Sequence, residues 1–172
     1  DLVLGHEFCA EILDHGPGAE RNLPVGTRVV SMPWAFEPTG PELIGFSTRY
    51  RGAFAERLVL TEALLLPVPN GLSAEAAALT EPLSVGTHAV AVGNPGPQSV
   101  ALVIGCGPIG LAVIVALKRR GIGPIIAADF SSARRARAEK LGADIIVDPA
   151  TSSPHAAWSG FDVPATLAEM GL

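Results

Sequence analysis

Three glycines and one carboxylate form the most specific chemical pattern in this chain of 172 residues. Gly105, Gly107 and Gly110 have the spacing G-x-G-x-x-G, and Asp129 stands 24 positions after Gly105. The first glycine allows a tight turn, the second lets a pyrophosphate approach bare backbone, and the third brings a helix close to a strand. An acid at this distance can accept hydrogen bonds from ribose hydroxyls. The pattern therefore predicts a dinucleotide-binding turn.

The elements that would position this turn lie on both sides of it. Val100 to Ile104 is an apolar strand, and the turn opens a helix whose N-terminus attracts phosphate. The basic residues Lys118 to Arg120 suit the C-terminal end of that helix. A second apolar strand then ends at Asp129. A glycine-rich turn in another α/β fold is the alternative, and the complete series of strand, turn, helix, strand and acid argues against it.

The uncharged run from Val100 to Leu117 is long enough to be considered as a membrane span. The residues Gly-Cys-Gly-Pro in its middle argue against one continuous helix, because they break helices and turn the chain. We therefore interpret the run as a buried strand followed by a half-buried helix, and we expect no membrane partner.

The residues after Asp129 favour NAD as the cofactor. A carboxylate at this position would repel the 2′-phosphate of NADP, and the first basic residue after it is Arg134. Arg134 falls inside the next predicted helix, where a solvated surface role is the alternative to a contact with the ribose edge. The candidate cofactor-binding residues are Gly105, Gly107, Pro108, Ile109, Gly110, Asp129 and Arg134.

His6, Glu7 and Glu81 are the other residues whose types could do chemistry. Imidazole and carboxylate are both ligands of Zn²⁺, and a catalytic zinc site uses three protein ligands and a water. On chemistry alone, His6 would be an ordinary hydrogen-bonded histidine and Glu81 an acid at a helix end. Because neighbouring strand residues point to opposite faces, His6 and Glu7 can face one metal only where the backbone bends.

Composition narrows the classes of function. The formal net charge is −5 and the basic residues form no long stripe, so nucleic acid is not an expected partner. Two cysteines make no secreted disulfide framework and no signal peptide is recognisable, which predicts a reducing cytoplasm. The chain opens on Asp1 rather than Met and ends after three predicted strands of a sheet that normally has six, so we expect both ends to be truncated.

Two different patterns divide the chain. The first half has short strand-like segments separated by turns, which predicts a small β-barrel-like domain. The segments expected to be extended are Phe8 to Leu13, Arg28 to Met32 and Gly52 to Leu60. Pro33 to Arg51 is predicted to be an irregular lobe. The expected helices are one capped by Ser73, one from Ser84 to Val92, and one from Ser131 or Ser132 to Leu141. Asp144 to Val147 is a predicted third strand of the second half, and Ala150 to Leu172 is expected to be loop with one short helix.

Five motifs stand together in the order of a known family. They are Gly5-His6-Glu7, Val25-Gly26-Thr27-Arg28-Val29, Gly52-Ala53-Phe54-Ala55-Glu56, Glu81-Pro82-Leu83 and Gly105-Cys106-Gly107-Pro108-Ile109-Gly110. Over roughly the first 150 residues the chain resembles the zinc-dependent medium-chain alcohol dehydrogenases, nearest to their polyol (sorbitol-type) branch. The resemblance implies a GroES-like β-barrel catalytic domain at 1–82, lacking its N-terminus. It also implies a Rossmann domain with a doubly wound parallel sheet at 83–172, lacking its C-terminal half.

The resemblance also implies a metal site. His6 would be a zinc ligand and Glu81 would occupy the position of another ligand. Glu7 would be a ligand or a residue beside the ligands, and is the candidate catalytic residue. The family's upstream cysteine ligand has no counterpart here. The lobe after the Arg28 strand lacks the four cysteines that hold a second, structural zinc in many members, so we expect one catalytic zinc and no structural zinc.

The implied activity is reversible hydride transfer between an alcohol, either secondary or a polyol, and NAD. The intact enzyme is expected to act on a small-molecule alcohol and to be a homo-oligomer. A zinc-free quinone or enoyl reductase of the same superfamily is one alternative, and a non-catalytic dinucleotide-binding module is another. The chain alone is expected to be inactive.

Overall fold

The chain folds into two compact units, Asp1–Glu81 and Pro82–Leu172. The computed structural model describes residues 1–164. The first unit is built from short antiparallel strands and the second from alternating strands and helices. Each unit has its own architecture, and each carries one of the two groups of candidate residues.

The first unit contains a three-stranded and a two-stranded antiparallel sheet. Its strands are β1 (Ala10–Glu11), β2 (Arg28–Ser31), β3 (Trp34–Glu37), β4 (Gly40–Leu43) and β5 (Leu65–Pro67). β2 is the middle strand of the order β1-β2-β5, and its Val29 lies opposite both Ala10 and Pro67. The backbone of Val29 is thus paired on both edges, and its side chain is buried. The predicted extended segment Phe8 to Leu13 shortens to the two residues of β1.

The predicted irregular lobe at Pro33 to Arg51 is wrong, because it contains the β3–β4 hairpin. The aromatic residues Trp34 and Phe36 favour a strand, but the glycine and proline residues around them favour a loop, so the sequence pattern does not predict the hairpin. Nη1 of Arg49 lies 3.4 Å from Oε2 of Glu37 and 3.7 Å from Oε1 of Glu42. The exposed guanidinium therefore bridges the two strands. Tyr50 donates a hydrogen bond to Glu37, and this bond raises the pKa of Tyr50.

The predicted strand from Gly52 to Leu60 is also wrong, since these residues form bends and loop. The start of this segment still makes backbone hydrogen bonds, and they go to the residues just before His6. Gly52 N–H donates to the Val3 carbonyl at 2.8 Å, and Ala53 N–H donates to the Gly5 carbonyl at 2.9 Å. β2 pairs with β5 on the side opposite β1, and the sequence pattern does not predict β5 because it is short and ends in a proline.

Two helices follow the sheets of the first unit. In α1 (Ala74–Ala78), the predicted cap is confirmed, because the Ser73 hydroxyl accepts the Ala76 N–H at 3.2 Å. The next helix, α2 (Thr80–Gly93), begins four residues before the predicted start at Ser84. Pro82 does not prevent this, because the first turn of a helix needs no N–H at that position. Glu81 therefore lies in the first turn of α2.

The second unit is a three-stranded parallel sheet with helices between the strands. Its elements are β6 (Ala101–Ile104), α3 (Pro108–Arg119), β7 (Ile125–Ala128), α4 (Ser132–Lys140) and β8 (Ile145–Val147). The strand order is β6-β7-β8, and all four residues of the central β7 are completely buried. A central strand of a parallel sheet is covered on both faces, which explains this uniform apolar run. The predicted alternation of strand and helix is confirmed here to within a few residues.

Glycines with positive φ end α3 and α4: Gly121 follows α3 with a φ of 68°, and Gly142 follows α4 with a φ of 111°. No helix within residues 1–164 is both long and apolar enough to cross a membrane. The short helix expected in the tail is a 3₁₀ segment, Pro154–Phe161. The rest of that prediction, 165–172, lies outside the described residues.

Candidate metal centre and dinucleotide-binding turn

The side chains of His6, Glu7 and Glu81 converge in the first unit. Each offers one donor atom, a ring nitrogen or a carboxylate oxygen, and these atoms lie within 4.8 Å of one another. His6 and Glu81 are half-buried, whereas Glu7 is exposed. Within residues 1–164 this is the one group of three or more His, Cys, Asp or Glu side chains with such spacing.

The backbone around His6 bends, which allows two neighbouring side chains to face the same point. Residues 6 and 7 precede β1 and belong to no strand, so the alternation of faces does not apply to them. Gly5 has a φ of 102°, a conformation that side-chain-bearing residues rarely adopt. Glu81 comes from the first turn of α2, 75 positions later in the sequence.

Two further glycines hold the Gly5 peptide in place. A Cβ atom on Gly45 would lie 2.5 Å from the Gly5 carbonyl oxygen, and a Cβ atom on Gly52 would overlap that same oxygen. Only glycine leaves room for such close backbone contacts. The motif that contains Gly52 and the motif that contains His6 are therefore packed directly on each other. This contact is not visible in the sequence, where the two motifs are far apart.

Phe46 follows Gly45 and contacts the candidate metal ligand. Its ring centroid lies 5.2 Å from that of His6, with the two planes tilted by 49°. Phe46 is 59% exposed, so its ring packs against the imidazole while much of the surface of Phe46 remains accessible to solvent. The sequence gives no signal for a role of Phe46, because this residue lies in the segment that is predicted to be an irregular lobe.

The donor set fits a zinc ion. Zinc binds His nitrogen and carboxylate oxygen at about 2.0–2.2 Å, which places tetrahedral ligand atoms about 3.5 Å apart. The donor atoms of His6, Glu7 and Glu81 all lie within 4.8 Å of one another, so shifts of about 1 Å would bring them to the spacing of zinc ligands. Three protein ligands would leave a fourth position open, as catalytic zinc sites require.

The glycine turn of the second unit has the geometry that its spacing predicts. Gly105 has a φ of 92°, and its N–H donates to the Ala128 carbonyl at 2.8 Å. A Cβ atom on Gly110 would overlap the Gly105 carbonyl oxygen, so α3 packs against the turn only because this residue is glycine. Gly107 caps α3 and Pro108 is its first residue, followed by the partly exposed Ile109. The turn thus leads directly into a helix N-terminus, which favours phosphate.

Asp129 follows β7 and is already hydrogen-bonded within the protein. Its Oδ1 accepts the Ser131 N–H at 2.7 Å, and its Oδ2 accepts the Cys106 N–H at 2.8 Å. These two backbone hydrogen bonds, the Ser131 bond first, lower the pKa of Asp129 and keep it ionised. A carboxylate has about four acceptor positions, so these two bonds leave two of them unused. Cys106 is buried, and burial raises the pKa of its thiol.

Two arginines at the start of α4 contact Asp129 in different ways. The Nη1 atom of Arg134 lies 3.8 Å from Asp129 Oδ2, and the side chain is 53% exposed. Arg135 binds the backbone of Asp129 instead, donating from Nη1 to its carbonyl at 2.7 Å. The sequence pattern indicates Arg134 and not Arg135, because position in a helix alone does not show which of two adjacent arginines turns back over the strand.

Comparison with known proteins places both units in one family. Residues 1–70 match the model of the alcohol dehydrogenase GroES-like domain. The chain is 40% identical to (R,R)-butanediol dehydrogenase of Bacillus subtilis, covering 98% of this chain and 48% of that protein. It is 35% identical to sorbitol dehydrogenase of Arabidopsis thaliana, covering 88% of this chain and 44% of that protein.

A solved structure supports the same relationship. The crystal structure of 2R,3R-butanediol dehydrogenase from Bacillus subtilis superposes with a TM-score of 0.75 at 39% identity, covering 87% of this chain and 45% of that one. The chain spans about half the length of the curated relatives that it matches. The predicted fold class, a GroES-like domain followed by a Rossmann-type parallel sheet, is confirmed. The chain belongs to the zinc-dependent medium-chain alcohol dehydrogenase family.

Proposed function

We propose that the intact protein transfers a hydride between a secondary alcohol or polyol and NAD, with one catalytic zinc. The observation that carries this proposal is the convergence of His6, Glu7 and Glu81 in a chain that also contains a G-x-G-x-x-G turn between a strand and a helix. A zinc-free reductase would have no need for an imidazole and two carboxylates gathered at one point. The relatives named for butanediol and sorbitol support an alcohol as the substrate class.

In the first unit, the proposed work of the protein is to hold the metal and to orient the alcohol. His6 and Glu81 are half-buried and would supply the fixed ligands, whereas the exposed Glu7 would be the adjustable one. Zinc bound there would supply Lewis acidity, which lowers the free energy needed to ionise an alcohol hydroxyl. The ring of Phe46 would keep the His6 imidazole in its orientation and present an apolar surface beside the site.

In the second unit, the proposed work is to bind and orient the dinucleotide. The N-terminus of α3 would take the pyrophosphate, and Asp129 would accept hydrogen bonds from the ribose hydroxyls. NAD would supply the hydride acceptor. Asp129 is ionised and its negative charge would disfavour the 2′-phosphate of NADP, so we propose NAD as the preferred cofactor.

Metal analysis of the intact protein tests this proposal. We expect about one zinc per chain in the wild type, and a large loss of metal in both His6→Ala and Glu81→Ala, because losing one of three ligands breaks the chelate. The control is His88→Ala, which removes an exposed histidine from the same helix as Glu81. Each sample is also assayed for NAD-dependent oxidation of 2,3-butanediol and sorbitol.

The outcomes separate the alternatives. If both variants keep full zinc and full activity, the assignment of the metal site is wrong. NADH binding without zinc and without turnover would show a non-catalytic dinucleotide-binding module instead. A ratio near two zinc ions per chain would contradict the expected absence of a structural zinc.

A further inference from the structure

Arg135 joins the ends of two parallel strands. It is the fourth residue of α4, and its guanidinium turns back over the end of β7. Nη1 donates to the carbonyl oxygens of Asp129 at 2.7 Å and Phe130 at 2.9 Å. Nη2 lies 2.8 Å from Oδ2 of Asp148, the residue that follows β8. The Arg135 side chain is only 17% exposed, so these contacts hold it in one position.

Arginine is suited to this position because of its shape. A guanidinium presents five N–H donors in a rigid plane and can serve two backbone carbonyls and a carboxylate at once, whereas the single ammonium of lysine cannot. Asp148 is oriented as well, since its Oδ1 accepts the Ala150 N–H at 3.0 Å. The ends of β7 and β8 are therefore connected through one half-buried ion pair with defined geometry.

The connection fixes Asp129, the residue that we propose as the ribose-binding acid. The backbone of Asp129 is held by Arg135, and its side chain is held by the N–H groups of Ser131 and Cys106. We propose that Arg135 is a positioning residue, which sets NAD affinity and discrimination against NADP by holding the Asp129 carboxylate in place. This inference rests on the proposed dinucleotide site.

Arg134 has a different role in this arrangement. Its guanidinium is exposed and lies 3.8 Å from the Asp129 carboxylate, so it is able to move. All the hydrogen bonds of Arg135 described above go to the protein itself. Arg135 therefore acts on the dinucleotide only through Asp129, and its removal should change binding without removing a direct ligand contact.

The test compares two arginines of the same helix in the intact protein. Arg135→Ala is the test variant, and the control is Arg137→Ala, because Arg137 is exposed on α4 and the change alters net charge and helix propensity equally. NADH and NADPH dissociation constants are measured by fluorescence, and kcat and KM are measured with 2,3-butanediol. We expect the NADH dissociation constant of Arg135→Ala to rise about tenfold, because small displacements of positioning groups cause large losses of binding. We also expect this variant to discriminate less between NADH and NADPH.

Further readouts separate positioning from a general loss of stability. We expect KM for NAD to rise in Arg135→Ala while kcat and KM for the alcohol stay near wild type, and Arg135→Lys to recover only part of the affinity. Equal NADH affinity in Arg135→Ala and Arg137→Ala would overturn this inference and leave the proposed function intact. A fall in kcat with unchanged NADH affinity would also overturn it. Wild-type protein that binds neither dinucleotide would overturn the proposed function together with the inference.

Discussion

The carboxylate of Asp129 shows what residue spacing can and cannot predict. The distance from Gly105 predicts that Asp129 stands at the end of the second strand, and β7 ends at the residue before it, because strand, turn and helix lengths in this motif are nearly constant. It did not predict that Asp129 would accept the Cys106 N–H, a contact across 23 positions of sequence. That bond depends on the detailed closure of the glycine turn, which residue types alone do not describe.

Replacing Asp129 should change cofactor choice. We expect the wild type to prefer NAD by at least about tenfold in kcat/KM, equivalent to about 1.4 kcal/mol of differential transition-state binding. Asp129→Ser should narrow or reverse this preference, because the change removes the charge that opposes a 2′-phosphate. The measurement is kcat/KM with NAD and NADP, and KM for the alcohol serves as the internal control. Equal or better efficiency of the wild type with NADP would show that the assignment is wrong.

At the scale of elements, local patterns were predicted well and distant pairings were not. β6, α3 and β7 follow one another along the chain, so hydrophobic runs and turn residues were sufficient to find them. β2 pairs with β5, which lies more than thirty residues later, and such pairing leaves only weak local signals. The segment from Gly52 to Leu60 was expected to be a strand, yet the backbone N–H groups at its start donate to the loop before His6.

The packing of two loops predicts an effect of Gly52 on metal binding. Gly52→Ala would place a methyl group on the Gly5 carbonyl, so we expect the His6 segment to shift, zinc content to fall, and stability to decrease by about 1–3 kcal/mol. Zinc content and thermal unfolding of the intact protein are the measurements.

Gly16→Ala is the matched control for this change. A Cβ atom added to Gly16 would have no other atom within 4 Å, and the residue has no left-handed φ. Its substitution should therefore change stability by less than about 0.5 kcal/mol. If Gly52→Ala keeps wild-type zinc and stability, the close packing of the two loops does not constrain His6.

At the scale of the whole molecule, one carboxylate connects distant parts of the first unit. Glu62 accepts the N–H groups of Glu20 at 2.7 Å and Asn22 at 2.9 Å. These backbone bonds, that of Asn22 first, lower the pKa of Glu62 below its ordinary value of 4.5. A lowered folded-state pKa stabilises the protein above the ordinary pKa, and this contribution is lost as the pH falls through the folded value.

Glu62→Gln should therefore destabilise the protein at neutral pH and have a smaller effect in acid. We expect the wild type to have the higher melting temperature at pH 7, with the difference shrinking below about pH 4.5. Both proteins are melted in the presence of a chelator, so that loss of metal in acid does not contribute. Glu11→Gln, at an exposed position in β1, is the control. A difference that is constant or grows as the pH falls would contradict this explanation.

The two ends of the first unit meet at His6 and Glu81, and a metal held there would act as a cross-link. Its ligands are 75 positions apart, so binding would close a loop of nearly the whole unit. Closing a long loop restricts the unfolded chain, and a metal can do this as a disulfide does. The unit could then not unfold completely without releasing its ion. The stability of this unit would thus depend on the free zinc available to it, because the ion would bind the folded chain and not the unfolded one.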